Sequence, residues 1–281
     1  YGDWSSDVCS SDLLVLLEKH IGQKRNKWDK WSYIMAKKIN VFYHYFICPD
    51  NRSEFWNWWL DEQLEIVEKS GLSRVADINM CITMPAFWTQ MRGFDLELDK
   101  VRIQTGTPVF CNFKDKVQEY LDIRFPFVKV LEYRDVSAPN LYEGTTLKQM
   151  WLYAKEHPGE VLCYFHDKGV MSLAQTTKCW RELLMEVLVR QWPMRYADLE
   201  GHDVVAIQDV NVRVLSGNFF WATTDYVATL PEPVYESRYD YELWILKNIP
   251  KVKYCLRTKA DHFNEIVVYD KNLVDNILPN P

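Results

Sequence analysis

Two patterns of apolar residues alternate along this chain, and together they predict a layered α/β fold. Ile39 to Ile47 (INVFYHYFI) is β-branched and aromatic, and a Pro-Asp-Asn turn closes it, so it predicts a strand. From Glu54 to Lys69 the spacing changes. Phe55, Trp58, Trp59, Leu64 and Val67 fall along one side of an amphipathic helix, which Ser70-Gly71 ends. Ala76 to Met84 predicts a second strand, and the strand–helix–strand order implies a parallel pair with a right-handed crossover. Val128 to Tyr133 predicts a third strand. Glu143 to His157 predicts a helix, with Leu147, Met150, Trp151 and Ala154 at helical spacing and Thr145 and Thr146 as capping residues at its start. Pro158-Gly159 stops it. Val161 to Phe165 (VLCYF) is a continuous apolar run, which marks a strand buried on both faces.

The remaining segments extend the same alternation. Phe113 to Leu121 predicts a short helix, Gln175 to Arg190 a longer one, and His202 to Val210 a strand. Ser216-Gly217-Asn218 reads as the start of a loop leading into the aromatic stretch Phe219 to Trp221. Asp225 to Leu230 and Tyr239 to Lys247 predict helices, and Val252 to Leu256 a last strand. Arg92 to Arg102 alternates charged and apolar residues and predicts an excursion of short strands. No internal repeat is visible. The fold class expected is α/β, a single doubly wound domain with a mainly parallel central sheet flanked by helices.

Composition sharpens this at the N-terminus. Tyr1 to Leu13 (YGDWSSDVCSSDL) is unlike the rest: from Asp3 onward it matches, in one reading frame, a translated short-read sequencing adapter. It is set aside from the fold as a scar of an assembly from environmental reads, with a domain expected over residues 14–281 and a native start that is missing. Asp3, Asp7 and Asp12 supply three of the six net negative charges. No basic block stands out, so nucleic acid is not an expected partner, and no apolar run reaches membrane-spanning length. Outside that segment the six cysteines Cys48, Cys81, Cys111, Cys163, Cys179 and Cys255 form no C-x-x-C pair, and several lie in apolar strands. They are expected to be reduced core thiols of a cytoplasmic protein.

Three polar clusters carry candidate chemistry. His166-Asp167-Lys168-Gly169 follows the apolar run at its C-terminal end, where open α/β sheets bind ligands. An imidazole, a carboxylate and a cation on one turn suit a phosphate-bearing or metal-bound ligand, and equally suit a solvated turn. Ser216-Gly217-Asn218 beside Phe219, Phe220 and Trp221 suits a sugar ring, and equally a glycine turn before a buried strand. In the third, Glu242 sits among bulky residues near Asp240. It is either a poised general base or the partner of Arg238 four residues earlier.

Taken in order, these segments resemble a known group. Tyr142-Glu143-Gly144-Thr145-Thr146-Leu147, Tyr164-Phe165-His166-Asp167-Lys168-Gly169, Trp180-Arg181, Ser216-Gly217-Asn218-Phe219-Phe220-Trp221-Ala222 and Tyr241-Glu242-Leu243-Trp244-Ile245 are similar to the HxKG and SGNFWW motifs of glycosyltransferase-like proteins from bacteria, phages and large viruses. Those proteins are distantly similar to rhamnan-synthesis transferases. The likeness covers about residues 39–245, with Phe220 where the pattern has tryptophan.

The resemblance implies a GT-A-like fold and transfer of a sugar from a nucleotide-sugar donor to a hydroxyl of a glycan, lipid-linked or glycoprotein acceptor, as in polysaccharide biosynthesis. It implies donor binding by His166, Asp167, Lys168, Gly169, Arg181, Thr146 and Glu143. Sugar or acceptor binding falls to Ser216, Gly217, Asn218 and Trp221, and proton removal to Glu242 or Asp240. Asp167 is the expected ligand for Mn²⁺ or Mg²⁺; a metal-independent route, with Lys168 neutralising the diphosphate, is the alternative. Two other classes stay open: a non-catalytic carbohydrate-binding module and a nucleotidyltransferase-type enzyme.

Overall fold

The structure, a computed structural model, describes residues 37–47, 57–85, 109–136, 142–167, 175–209, 215–234, 240–260 and 266–269. The adapter-like start, the expected excursion at 92–102, Lys168, Gly169 and Arg238 lie outside these residues.

Eight strands form one sheet in the order β3-β2-β1-β4-β6-β5-β7-β8. They are β1 (Ile39–Phe46), β2 (Ala76–Pro85), β3 (Val128–Val136), β4 (Val161–His166), β5 (Val204–Asp209), β6 (Leu215–Thr223), β7 (Val252–Ala260) and β8 (Ile266–Tyr269). β3, β2, β1 and β4 run parallel, as do β5 and β7. β6 is antiparallel to both its neighbours, and β8 is antiparallel to β7. The fold is therefore a mixed α/β domain with a mainly parallel sheet, as the apolar patterns predict.

The centre of the sheet is where its sequences are most continuously apolar. Every residue of β1 and of β4 is buried, as parallel strands covered on both faces require. Successive side chains point to opposite faces, and two cores follow. Val41, Tyr43, Tyr45, Cys163, Phe165, Phe219 and Trp221 share one face with Leu60, Leu64 and Val67 of α1 (Trp58–Lys69), Val117 and Leu121 of α2 (Val109–Arg124), and Leu183 and Leu184 of α4 (Gln175–Leu184). Phe42, Leu162, Tyr164 and Phe220 share the other with Leu147, Met150 and Trp151 of α3 (Tyr142–Glu156).

α4 continues directly into a π-helical segment, Met185–Arg190, and then into α5 (Trp192–Asp198), with Pro193 in its first turn. Two short helices, α6 (Thr224–Val227) and α7 (Asp240–Trp244), follow β6. Thr223 caps α6 by accepting from the Tyr226 N–H.

Several expectations are corrected in detail. The buried face of α1 is Leu60, Gln63, Leu64 and Val67, whereas Trp58 is exposed. α2 begins earlier and ends later than Phe113–Leu121. Thr145 and Thr146 lie inside the first turns of α3, because that helix already starts at Tyr142. Ser216-Gly217-Asn218 belongs to strand β6 and not to a loop. Cys81 and Cys163 are buried free thiols, and burial pushes the Cys81 thiol up to about 12.

Candidate functional site

β1 leads outward to β2 and β3 on one side, while β4 joins it on the other, so the chain order reverses between β1 and β4. Crevices of open α/β sheets form at such points, beyond the strands' C-terminal ends. His44 of β1 and His166 of β4 stand side by side in register at that end. Because β6 is antiparallel to β4, its first half runs past the same edge.

β6 is irregular there. Phe220 pairs with Ala206 and Leu215 with Gln208, so Ser216 to Phe219 all lie opposite Ile207 alone. This is a wide bulge, and two consecutive residues in it, Gly217 and Asn218, have left-handed backbones with φ of 65° and 56°. The left-handed angle favours glycine at 217, and a Cβ there would also force the end of the buried Leu184 side chain to move. The bulge turns the Gly217 carbonyl to His166, whose Nε2 donates to it at 2.8 Å. The carbonyl only accepts, so that nitrogen carries a proton.

The next residue completes a carboxylate-centred group. Asn218 Nδ2 donates to Glu143 Oε2 at 2.8 Å, and the Tyr164 hydroxyl reaches the same oxygen at 3.3 Å. His166 Nδ1 lies 3.6 Å from Glu143 Oε1. Glu143 sits in the first turn of α3, where the helix dipole favours a negative charge. It is the open member of the group: its side chain keeps 21% exposure against 9% for His166. Asn218 is buried behind it.

A second layer holds this group in place. His44 Nδ1 bonds to Thr146 Oγ1 at 2.9 Å, and full burial drives the His44 imidazole down to about 3, so it is a neutral strut between β1 and α3. Gln63 of α1 accepts from the Tyr43 hydroxyl and donates to the His166 carbonyl at 2.9 Å, tying the end of β4 to a helix on the opposite face. Ser216 Oγ accepts from Trp180 Nε1 at 2.9 Å. α7 docks on the start of α3 through Tyr241, whose hydroxyl occupies the space a Cβ on Gly144 would need. That brings the segment bearing Asp240 and Glu242 to the Glu143 end of the sheet.

Asp167 is buried at the mouth of the switch point. Its Oδ2 accepts from the Phe46 N–H at 2.7 Å, joining the ends of β1 and β4. Burial lifts its carboxyl well above the ordinary range and the charge of Glu143 adds to this, while the Phe46 N–H and Arg181 oppose it. The residues placed together are thus Glu143, His166, Asp167, Gly217 and Asn218, with Thr146 and Ser216 buried behind them.

Two expected site residues are corrected. Trp221 is fully buried and donates from Nε1 to the Leu188 carbonyl of the π-helical segment at 2.7 Å. It is a core residue, not a stacking platform. Arg181, also buried, makes a two-pronged contact with Glu62 (Nε–Oε1 2.9 Å, Nη2–Oε2 3.0 Å) and lies over the Trp59 ring. It braces α4 against α1 and reaches the site through its field on Asp167.

The sequence assigned no site role to His44, Tyr164 or Gln63, although Tyr164 lies in a motif that carries the resemblance. Two of them carried a signal: a histidine near the C-terminal end of an apolar strand, and an amide on the apolar face of a helix. A separate groove of ≈ 810 Å³ lies at the opposite edge, between Lys38, Asn79, Lys129, Gln149 and Glu156, and none of the motif residues lines it.

Comparison with known proteins adds the following. A family model described as a domain of unknown function (DUF8361) matches residues 129–265, a span that contains α3, β4, β6 and α7. No curated protein sequence matches. Among solved structures, a 4-diphosphocytidyl-2C-methyl-D-erythritol synthase is similar at 10% identity over 85% of this chain and 96% of that one, with a TM-score of 0.32. No helix among the described residues is long and apolar enough to cross a membrane.

Proposed function

We propose that this protein is a GT-A-like glycosyltransferase of the cytoplasm, which moves a sugar from a nucleotide-sugar donor to a hydroxyl acceptor. The observation that carries the proposal is convergence. The helix start at Tyr142–Thr146, the strand end at Tyr164–Asp167, the bulge at Ser216–Asn218 and the helix bearing Tyr241 are far apart in sequence. They meet at one C-terminal edge of the sheet, beside its switch point. These are four of the five segments on which the resemblance to the HxKG and SGNFWW proteins rests. Helices and strands packing for stability alone would not require four polar motifs at one edge.

In the reaction, an acceptor oxygen bonds to the anomeric carbon while the bond from that carbon to the donor's diphosphate breaks. The electron pair leaves with the nucleoside diphosphate, and the acceptor's proton passes to a carboxylate. Glu242 and Asp240, on the helix docked beside Glu143, are the proposed proton acceptors. Lys168 supplies a positive charge for the leaving diphosphate, and His166, whose two ring nitrogens face Gly217 and Glu143, braces that edge of the site.

A divalent ion fits the described residues poorly. Among them no group of three His, Cys, Asp or Glu side chains is arranged to hold a metal ion, and one oxygen of Asp167 already accepts from Phe46. No step is therefore routed through a metal.

A thermal-shift series on residues 14–281 against UDP, GDP, CDP and dTDP, each with Mn²⁺ and with EDTA, tests donor binding. A nucleotide at a hundredfold excess over its Kd stabilises the native state by about 2.7 kcal/mol. A shift with one nucleotide, lost in Lys168→Ala, is expected; a well-folded protein that none of them shifts overturns the proposal.

A further inference from the structure

The corner formed by Glu143 and Asn218 has one unexplained feature. Asn218 is 2% exposed, and its Oδ1 is buried with no hydrogen-bond partner among the described residues. Turning the amide over would not help, since Oδ1 would then face the Glu143 carboxylate, acceptor against acceptor, across 2.8 Å. The orientation is therefore set, and an acceptor is left over. The same residue has a left-handed backbone, held by the bulge. Two costs at one residue, both in a site, point to a ligand that repays them.

The chemistry of the corner selects that ligand. Asn218 Oδ1 and the Glu143 carboxylate, which has about four lone-pair sites in all, are acceptors. A phosphate brought there would meet a carboxylate, acceptor against acceptor and charge against charge. Two neighbouring hydroxyls would instead offer two donors to two acceptors. Tyr164 and His166 hold the carboxylate from the other side, so it is fixed before the ligand arrives.

We infer that Glu143 and Asn218 form the sugar-reading subsite, which takes adjacent hydroxyls of the transferred sugar and contacts neither the nucleoside nor the diphosphate. This rests on the nucleotide-sugar reading above and narrows the role of Glu143 within it, from the donor as a whole to its sugar. Asn218 acts through its carbonyl oxygen, and its amide nitrogen keeps Glu143 in position.

Isothermal titration separates the possibilities. UDP and UDP-glucose, GDP and GDP-mannose, and dTDP and dTDP-glucose are titrated into the wild type, and the pair that binds is taken to Glu143→Gln and Asn218→Gly. The first variant keeps the side chain's shape and the second tolerates the backbone, and unfolding midpoints confirm that each is folded. The sugar nucleotide is expected to lose about tenfold or more in affinity in both variants, with the free diphosphate changed less than twofold. Equal losses for both ligands would put the nucleotide at this corner and overturn the inference. So would variants that bind the sugar nucleotide as the wild type does, or a wild type in which the sugar adds no affinity. If the free diphosphates themselves fail to bind the wild type, it is the donor reading that falls, and this inference falls with it.

Discussion

Gly217→Ala is the sharpest test of how the site is built. Two penalties are expected together. An alanine forced into the left-handed region costs about 1–2 kcal/mol, and its Cβ meets Leu184, so overpacking adds about 1–3 kcal/mol. The variant should lose about 2–5 kcal/mol, a large share of a typical domain's stability of about 5–15 kcal/mol. A double-mutant cycle separates the two parts. Leu184→Ala alone costs about 2–5 kcal/mol through the cavity it leaves. In that background, however, Gly217→Ala should cost only about 1–2 kcal/mol, because the collision is gone and the backbone strain remains. The coupling of about 1–3 kcal/mol is read from guanidinium unfolding of the four proteins, provided the slopes agree. If Gly217→Ala costs the same in both backgrounds, Leu184 does not pack against the bulge. If it costs under about 0.5 kcal/mol, the bulge is absent, and with it the geometry that aims Gly217 at His166 and Asn218 at Glu143.

Other expectations follow from the same contacts. As pH rises from about 4, the unfolded chain releases the Asp167 proton while the native state, whose carboxyl is raised by burial, retains it. Wild-type stability should therefore fall relative to Asp167→Asn by up to about 1.4 kcal/mol per pH unit until the native carboxyl ionises; parallel urea stability profiles from pH 4.5 to 6.5 would show Asp167 ionised throughout. Trp221→Ala should cost about 3–5 kcal/mol as a core truncation, and Trp221→Phe, which keeps most of the bulk but strands the Leu188 carbonyl, about 1–3 kcal/mol. Neither should change sugar-nucleotide affinity in the protein that remains folded. Glu62→Ala removes the two-pronged partner of the buried Arg181 and should cost about 3 kcal/mol; a loss below about 0.5 kcal/mol in chemical unfolding would deny the brace between α4 and α1.

The sheet's centre was legible because its strands are buried on both faces: in Ile39–Phe46 and Val161–His166 only Asn40, His44 and the terminal His166 interrupt the apolar and aromatic pattern. The edge residues His166 and Asp167 were legible for the complementary reason, an abrupt change to polarity where such a run ends. β6 was not. Ser-Gly-Asn is turn chemistry, and the backbone does take turn-like left-handed angles there, but inside a strand whose ladder resumes on both sides. Local sequence reports the bulge and conceals the strand. Trp221 misled in another way, since an indole suits a sugar platform and a core equally. The partner that decides, the Leu188 carbonyl, lies 33 residues earlier in a π-helical segment that periodicity does not mark. Thr146 and His44 meet across 102 residues, a pairing no local pattern carries.

Turnover of a nucleotide-sugar decides whether this site transfers sugar. The protein is incubated with UDP-, GDP-, CDP- and dTDP-sugars and a mixed panel of glycan and lipid-linked acceptors, and the released nucleotide is identified by chromatography. The expected result is release of a nucleoside diphosphate with gain of one sugar on an acceptor, lost in Glu242→Gln or Asp240→Asn and reduced in Glu143→Gln. Release of pyrophosphate or nucleoside monophosphate, or no turnover from a protein that binds the donor and folds normally, would contradict it.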